Sequence, residues 1–233
     1  LVGGLDKVYE INKNFRNEGI SVRHNPEFTM LEVYEAYSDC DGMMRLTEEM
    51  ITHLAKTVLG GPELEYQGKH IDLSKWEKVS FAELMKEQFG ITPEEKQNEW
   101  IKKLKKKGIE IEGKELSRTQ LINIVGELIT PKAHDHPVFV VDLFKELCPL
   151  AKTKPSDPLL TDRFELYMGG MEIANAYSEL NDPIEQRKRF EEDLGATKNE
   201  VRTIDSDFIR ALEYGMPPAG GLGIGIDRLV MIL

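Results

Sequence analysis

The pair Gly169-Gly170, set between two runs of strand-forming residues at Arg163–Met168 and Met171–Tyr177, narrows the fold most. Two consecutive glycines permit the left-handed backbone that matches the twist of a tight hairpin, so the two runs pair antiparallel. A second pair of strands is read at residues 7–16 and 27–36. Val8, Tyr9, Ile11 and Phe15 mark the first, and Phe28, Met30, Leu31, Val33 and Tyr34 the second. The loop between them, from Asn17-Glu18-Gly19 to Asn25-Pro26, is rich in turn residues. His136–Val141 and the glycine-rich Gly220–Ile226 read as further strands. Long hairpins without strand–helix–strand alternation indicate an α+β protein, a mostly antiparallel sheet flanked by helices.

The helices are read from spacing. Met43, Leu46, Met50, Ile51, Leu54 and Val58 share one helical face, which Gly60-Gly61-Pro62 stops. Further helices are expected around 184–194, from Ser206 to Tyr214 with Asp205 as N-cap and Gly215 after the end, and in the apolar run from Arg228. Residues 75–130 carry amphipathic patterns at Phe81–Phe89, Trp100–Leu104 and Leu121–Ile129, and read as a helical subdomain inserted in one large domain.

Charge and cysteine usage exclude several function classes. Lys+Arg 30 against Asp+Glu 41 gives a net charge of −11, which argues against a surface that binds nucleic acid mainly by neutralising phosphates. It directs attention to carboxylate chemistry and a bound cation. Cys40 and Cys148 have no CxxC spacing, which excludes a zinc ribbon and a disulfide framework and fits reduced thiols in the cytoplasm. No apolar run approaches the roughly 18 residues of a membrane span, and no signal-peptide pattern opens the chain. The start without Met and the apolar end Arg-Leu-Val-Met-Ile-Leu suggest a piece of a longer protein, cut at both ends.

In a regular Gly-Gly hairpin, Glu165 faces Ala174 and lies diagonally beside Glu172, about 7–8 Å away between Cα atoms. Two carboxylates on one strand face repel, and a divalent cation resolves the conflict; Mg²⁺ suits one or two carboxylates completed by water and phosphate. Two solvent-exposed glutamates are the other reading. Period-2 alternation puts Asn175 and Glu179 on the opposite face from Glu172, and they join it only if the strand bulges or ends near Ala174–Ala176. Phe28, Met30, Glu32 and Tyr34 share a face that suits a stacked ring at one end and a cation or hydroxyl at the other, or an amphipathic edge strand. Arg16 and Arg23 flank the first loop as forks for phosphate oxygens or as solvated side chains.

Gly220-Gly221-Leu222-Gly223-Ile224-Gly225 is G-x-G-x-G, not the G-x-G-x-x-G of a dinucleotide fold, and no room remains for a ribose-binding acid about 20 residues on. Alternate glycines leave one strand face bare for a flat ligand, with Arg228 placed to cover it; tight helix–strand packing is the alternative. The five histidines form no i, i+4 metal pair, and the lysines from Lys102 to Lys107 read as a solvated helix face.

These residues also form a family signature. Phe15-Arg16-Asn17-Glu18-Gly19-Ile20-Ser21, Arg23-His24-Asn25-Pro26-Glu27-Phe28-Thr29 and Glu32 resemble motif 2 of the class II aminoacyl-tRNA synthetases, in the form seen in lysyl-tRNA synthetases. Gly221-Leu222-Gly223-Ile224-Gly225-Ile226-Asp227-Arg228 resembles motif 3. Between them Pro149–Lys152, Thr161–Glu165, Glu172–Asn175, Ser178–Asp182 and Gly215–Pro218 are similar to the lysine enzymes rather than to their aspartate or asparagine relatives. The resemblance covers essentially the whole chain, and the block at 75–130 looks like that family's insertion between motifs 2 and 3.

The resemblance implies a class II synthetase fold and a two-step ligase. ATP and L-lysine give lysyl-adenylate and pyrophosphate, and lysine then passes to the terminal ribose of tRNA(Lys). It implies that Arg16 holds the α-phosphate, and that Phe28 and Arg228 sandwich the adenine. Glu18, His24 and Asn25 would line the ATP site, with Gly225 on its glycine floor. Glu165 and Glu172 would hold Mg²⁺, and Glu32, Tyr34, Asn175 and Glu179 would take the lysine. Motif 1, the anticodon-binding domain and an upstream substrate-binding segment are missing from the chain as given, and the full-length protein is expected to be a cytoplasmic homodimer. Two other readings stand beside this one: a paralogue that lysylates a protein such as elongation factor P, and a non-catalytic nucleotide- or lysine-binding module. The compactness of such paralogues argues against the first, and retention of Arg16, Glu165, Glu172 and Arg228 together argues against the second.

Overall fold

Turn chemistry and apolar alternation place the elements in order. The computed structural model describes residues 1–17, 19–21, 24–111, 116–132, 134–196 and 203–233. Strands β1 (Lys7–Phe15) and β2 (Glu27–Ala36) pair antiparallel, with Phe15 opposite Glu27. Helix α1 (Cys40–Val58) starts at Asp39, whose side chain accepts from the Gly42 amide. A small hairpin follows, β3 (Glu63–Tyr66) and β4 (Lys69–Asp72), turned by Gln67 and Gly68 at positive φ. Next come β5 (Glu77–Ser80), α2 (Phe81–Phe89), α3 (Gln97–Lys106) and α4 (Arg118–Leu128). Capping boxes Ser80/Glu83 and Ser117/Gln120 fix the starts of α2 and α4. Then come β6 (Val138–Val141), a 3₁₀ turn at Lys145–Leu147, β7 (Thr153–Lys154), β8 (Asp157–Thr161), β9 (Arg163–Met168) and β10 (Met171–Ser178). Helices α5 (Pro183–Ala196) and α6 (Ser206–Glu213), strand β11 (Ala219–Gly225) and helix α7 (Ile226–Ile232) complete the order. Among the described residues no helix is long and apolar enough to cross a membrane.

Seven strands form one sheet in the order β1-β2-β11-β10-β9-β6-β5, antiparallel except for the β5–β6 pair. The late strand β11 inserts between the two long hairpins. Its glycines thereby lie between Glu32 and Tyr34 on one side and Asn175 and Tyr177 on the other. One sheet face carries Leu31, Phe164, Leu166, Ala174, Ala176, Leu222 and Ile224 and packs on Met43, Ile51 and Ala55 of α1 and on Leu229 and Ile232 of α7. Full burial of a large apolar side chain contributes about 1.5–3 kcal/mol, so this layer dominates stability and sets which face remains for chemistry.

Phe81, Leu84, Met85, Trp100, Leu104, Leu121, Ile122 and Val125 form a second apolar cluster among α2, α3 and α4. It joins the opposite sheet face through Val140, with Tyr167 packed against it. The helices begin at Phe81; residues 77–80 belong to the main sheet, where Glu77 faces Val138 in a parallel pair.

The Gly169-Gly170 turn has φ of 56° and 83°, and Met168 faces Met171 as expected. The regular register then breaks. Tyr167 faces Glu172, but Leu166 faces Ala174 and Glu165 faces Asn175, not Ala174. The extra residue is Ile173, a β-bulge whose apolar side chain is buried at 1% exposure.

Candidate active site

The bulge assembles the site. It shifts the alternation of β10 by one residue, so Asn175 and Tyr177 come onto the face that carries Glu172. That face is continuous across paired strands: Met30, Glu32 and Tyr34 on β2, Gly225, Gly223 and Gly221 opposite them on β11, then Asn175 and Tyr177 on β10 with Glu165 and Arg163 opposite on β9. Backbone pairing alone therefore gathers residues from 30 to 225 into one surface.

A cleft of about 540 Å³ opens at one end of this face, lined among others by Arg16, His24, Asn25, Phe28, Glu172, Asn175, Gly225 and Arg228. Glu32, Tyr34, Glu165 and Glu179 lie outside that lining, further along the sheet. Glu18 lies outside the described residues, as does Arg23. His24 Nδ1 is 3.1 Å from Ser21 Oγ, and the Asn25 amide donates to the Glu27 carbonyl at 2.6 Å, so both shape the loop end of the cleft.

The glycine strand serves two purposes. On the α1 face, a Cβ at Gly220 would meet the Asp39 carbonyl at 2.8 Å, which is the tight-packing role. On the site face, Gly225 has nothing closer than 3.8 Å and forms open floor. At Gly221 the face is not bare: a Cβ there would lie 1.9 Å from Glu179 Oε1 and 2.9 Å from Tyr34 Cε1. The chain's own carboxylate fills that space. No cation among the described residues pairs with it, and burial pushes the Glu179 carboxyl up to about 8. Burial, then Glu179, Glu32 and Glu10, pushes the Tyr34 hydroxyl up to about 12.

At the cleft end, Arg16 Cζ sits 5.1 Å from the Phe28 ring centroid, and its Nη2 is 3.9 Å from Met30 Sδ. In the structure, with no adenine between, Arg16 lies over Phe28. Arg228 Nη1 donates to the Glu172 carbonyl at 2.7 Å and lies 3.8 Å from Glu172 Oε2. Asp227 Oδ2 accepts from the Thr29 amide at 2.7 Å and ties α7 to β2 beneath the cleft.

Glu172 answers whether a cation fits. Burial first, and the Glu165 carboxylate second, push its carboxyl up to about 7, against the pull of Arg228, Arg163 and Arg16. A divalent cation relieves both costs. Among the described residues no group of three or more His, Cys, Asp or Glu side chains gathers, so these two carboxylates would need water or phosphate to complete a shell, which is the habit of Mg²⁺. Glu165 is held from both sides: Oε1 accepts from Arg163 Nη2 at 2.6 Å and Oε2 from the Tyr167 hydroxyl at 3.0 Å.

Sequence reasoning missed Arg163, Tyr167, Tyr177 and Asp227. Period-2 spacing from Glu165 was the available signal for Arg163 and Tyr167. For Tyr177 the signal required knowing the bulge.

The family described as tRNA synthetases class II (D, K and N) matches residues 1–233. The chain is 51% identical over 241 aligned positions to a lysine–tRNA ligase of Pelotomaculum thermopropionicum, with 100% of this chain and 47% of that protein covered. It is 49% identical to a lysine–tRNA ligase of Carboxydothermus hydrogenoformans over 239 positions, with 100% of this chain and 49% of the relative covered. It is also 49% identical to one of Staphylococcus aureus over 242 positions, with 100% of this chain and 48% of the relative covered. The chain spans about half the length of these relatives.

Proposed function

This chain belongs to the class II tRNA synthetases (D, K and N), and on that premise we propose that it is the core in which a longer protein activates L-lysine with ATP and transfers it to tRNA(Lys). The observation that carries the choice of lysine is Glu179: a half-buried carboxylate packed against Gly221, beside Tyr34, with no cation partner among the described residues. A lysine ammonium supplies the missing charge. Glu32 stands on the neighbouring strand, opposite Gly223, and adds a second carboxylate to the same face. A neutral isostere would leave a buried carboxylate unpaired, which is how such a pocket discriminates.

The chemistry follows from the order of groups along the sheet. The substrate carboxylate attacks the α-phosphorus, pyrophosphate leaves, and the mixed anhydride is later opened by a hydroxyl of the tRNA terminal ribose. Arg16, at the mouth of the cleft, offers a planar fork to the α-phosphate oxygens as negative charge shifts to the leaving group. Phe28 offers a ring face to adenine, Arg228 a cation to its other side, and Gly225 an open floor. Leaving Phe28 for the phosphate is then part of what Arg16 does when ATP enters. Glu165 and Glu172 would hold Mg²⁺, which when bound would screen the triphosphate charge. Asn175 and Tyr34 complete the lysine site. The helical block built on α2, α3 and α4 is the insertion between the two nucleotide-binding motifs, and the full-length protein works as a homodimer in the cytoplasm.

Lysine-dependent ATP–pyrophosphate exchange, run on the full-length protein, tests this reading. Exchange that needs lysine, and a lysine requirement raised at least about tenfold by Glu32→Gln and by Glu179→Gln with the ATP requirement little changed, supports it. Near-parental lysine dependence in both variants removes the pocket. Exchange without transfer to tRNA points instead to the protein-lysylating paralogue.

A further inference from the structure

Arg163 opens β9 and is buried, 8% exposed. Its guanidinium has three partners of different kinds. Nε donates to Asn175 Oδ1 at 3.1 Å, Nη1 to the Leu147 carbonyl at 3.0 Å, and Nη2 to Glu165 Oε1 at 2.6 Å. Glu165 alone would serve an ordinary ion pair. The bond to Asn175 does something an ion pair does not. Arginine carries only donors, so the atom it meets on Asn175 is the amide oxygen. With that oxygen taken, the NH₂ group is the end of Asn175 that serves a ligand in the cleft it lines. Two N–H donors suit the carboxylate of an amino acid. The third partner, Leu147, belongs to the 3₁₀ turn beside α4 of the helical block. Tyr167, the other partner of Glu165, packs on that block's core.

We infer that Arg163 is a positioning residue that sets the amide of Asn175 and the carboxylate of Glu165 together, referenced to the edge of the helical block. This rests on the reading of the site as a lysine-activating centre. A single buried fork then aligns a substrate-carboxylate donor on β10 with the metal-side carboxylate directly opposite it on β9. Either group alone would have several rotamers available.

The test uses the full-length protein and pyrophosphate exchange, with lysine titrated at saturating Mg·ATP and Mg²⁺ titrated at saturating lysine. Arg163→Lys keeps a charge for Glu165 but loses the fork to Asn175. The KM for lysine should rise at least about tenfold, while the Mg²⁺ requirement stays within about threefold. Arg163→Gln loses both, and both requirements should rise. If either variant lowers kcat only in proportion to the folded fraction, with KM for lysine and the Mg²⁺ requirement unchanged, the role is structural and the inference is overturned. Asn175→Asp guards against variants that fail to fold. It keeps an oxygen for Arg163, and so the fold, but replaces the NH₂. Its melting temperature should match the parent while KM for lysine rises at least about tenfold. Unaltered lysine dependence in Asn175→Asp overturns the inference on its own. Absence of lysine-dependent exchange in the parent protein would sink the proposed function instead.

Discussion

The carboxylate of Glu179 occupies the space that a side chain at position 221 would need, with Oε1 1.9 Å from the Cβ site of Gly221. Gly221 has no positive φ, so alanine there carries no backbone strain. The clash with Glu179 falls on the end of a flexible side chain, which can move away, whereas the Tyr34 ring, 2.9 Å from the same Cβ site, must shift with it. Gly221→Ala should therefore fold, with a melting temperature a little below the parent's. The displaced carboxylate should raise the lysine requirement for pyrophosphate exchange at least tenfold, about 1.4 kcal/mol. The ATP requirement should stay within about threefold. An unchanged lysine titration would mean that the position of Glu179 does not matter to the substrate.

Because burial raises Glu179 to about 8, the proposed lysine binding beside it should be linked to a proton. The ammonium favours the ionised carboxylate, so binding below pH 8 releases a proton, and affinity rises with pH until about 8. Calorimetry at pH 7 in two buffers of different ionisation enthalpy should show that release, and Glu179→Gln should abolish it. The sign for the protein alone is opposite. A carboxyl raised on folding holds a proton that the unfolded chain has lost, so this group's contribution to stability falls as pH rises from about 4.5 to about 8. A lysine affinity flat from pH 6 to 8 would contradict the first statement, and a stability of the ligand-free protein unchanged by Glu179→Gln across that range would contradict the second.

Glu165 and Glu172 are both assigned to the metal, yet their substitutions should affect stability in opposite directions. Glu172 is raised to about 7 by burial and by its neighbour, so Glu172→Gln removes repulsion and should leave the metal-free melting temperature unchanged or higher. Glu165 is the charge partner of buried Arg163, so Glu165→Gln leaves that guanidinium under-compensated and should cost about 1–3 kcal/mol. Both should weaken Mg²⁺-dependent ATP binding. Equal Mg·ATP affinity in the two variants and the parent, by calorimetry, would end the metal assignment.

What the sequence made legible follows from how local each signal is. The Gly169-Gly170 hairpin was readable because two adjacent glycines at positive φ are demanded by the turn itself. The bulge at Ile173 was not, because Ile173 and Ala174 are both apolar and both buried, so either register satisfies the pattern. That one residue decides whether Asn175 faces the site. Strand β5 escaped because Glu77-Lys78-Val79-Ser80 lacks alternation and pairs with a strand about 60 residues later in the chain, beyond three helices, where no turn announces it. Arg163 looked like any charged strand residue, since two of its partners, Asn175 and Leu147, come from elements that only the folded sheet brings together.

Arg16 provides the sharpest separation of binding from chemistry. It rests over Phe28, 5.1 Å from the ring centroid, and in the proposed reaction it swings its fork to the phosphates without any change in the proposed lysine site further along the sheet. Arg16→Lys preserves charge but loses the planar stack and the two parallel N–H donors. The loss should appear where charge develops on the leaving pyrophosphate. The rate of exchange should fall roughly a hundredfold, about 2.7 kcal/mol, with lysine affinity by calorimetry nearly unchanged. A variant that exchanged pyrophosphate at close to the parental rate would show that a point charge suffices at the α-phosphate. One that lost lysine affinity as well would place Arg16 in the substrate pocket rather than at the phosphates.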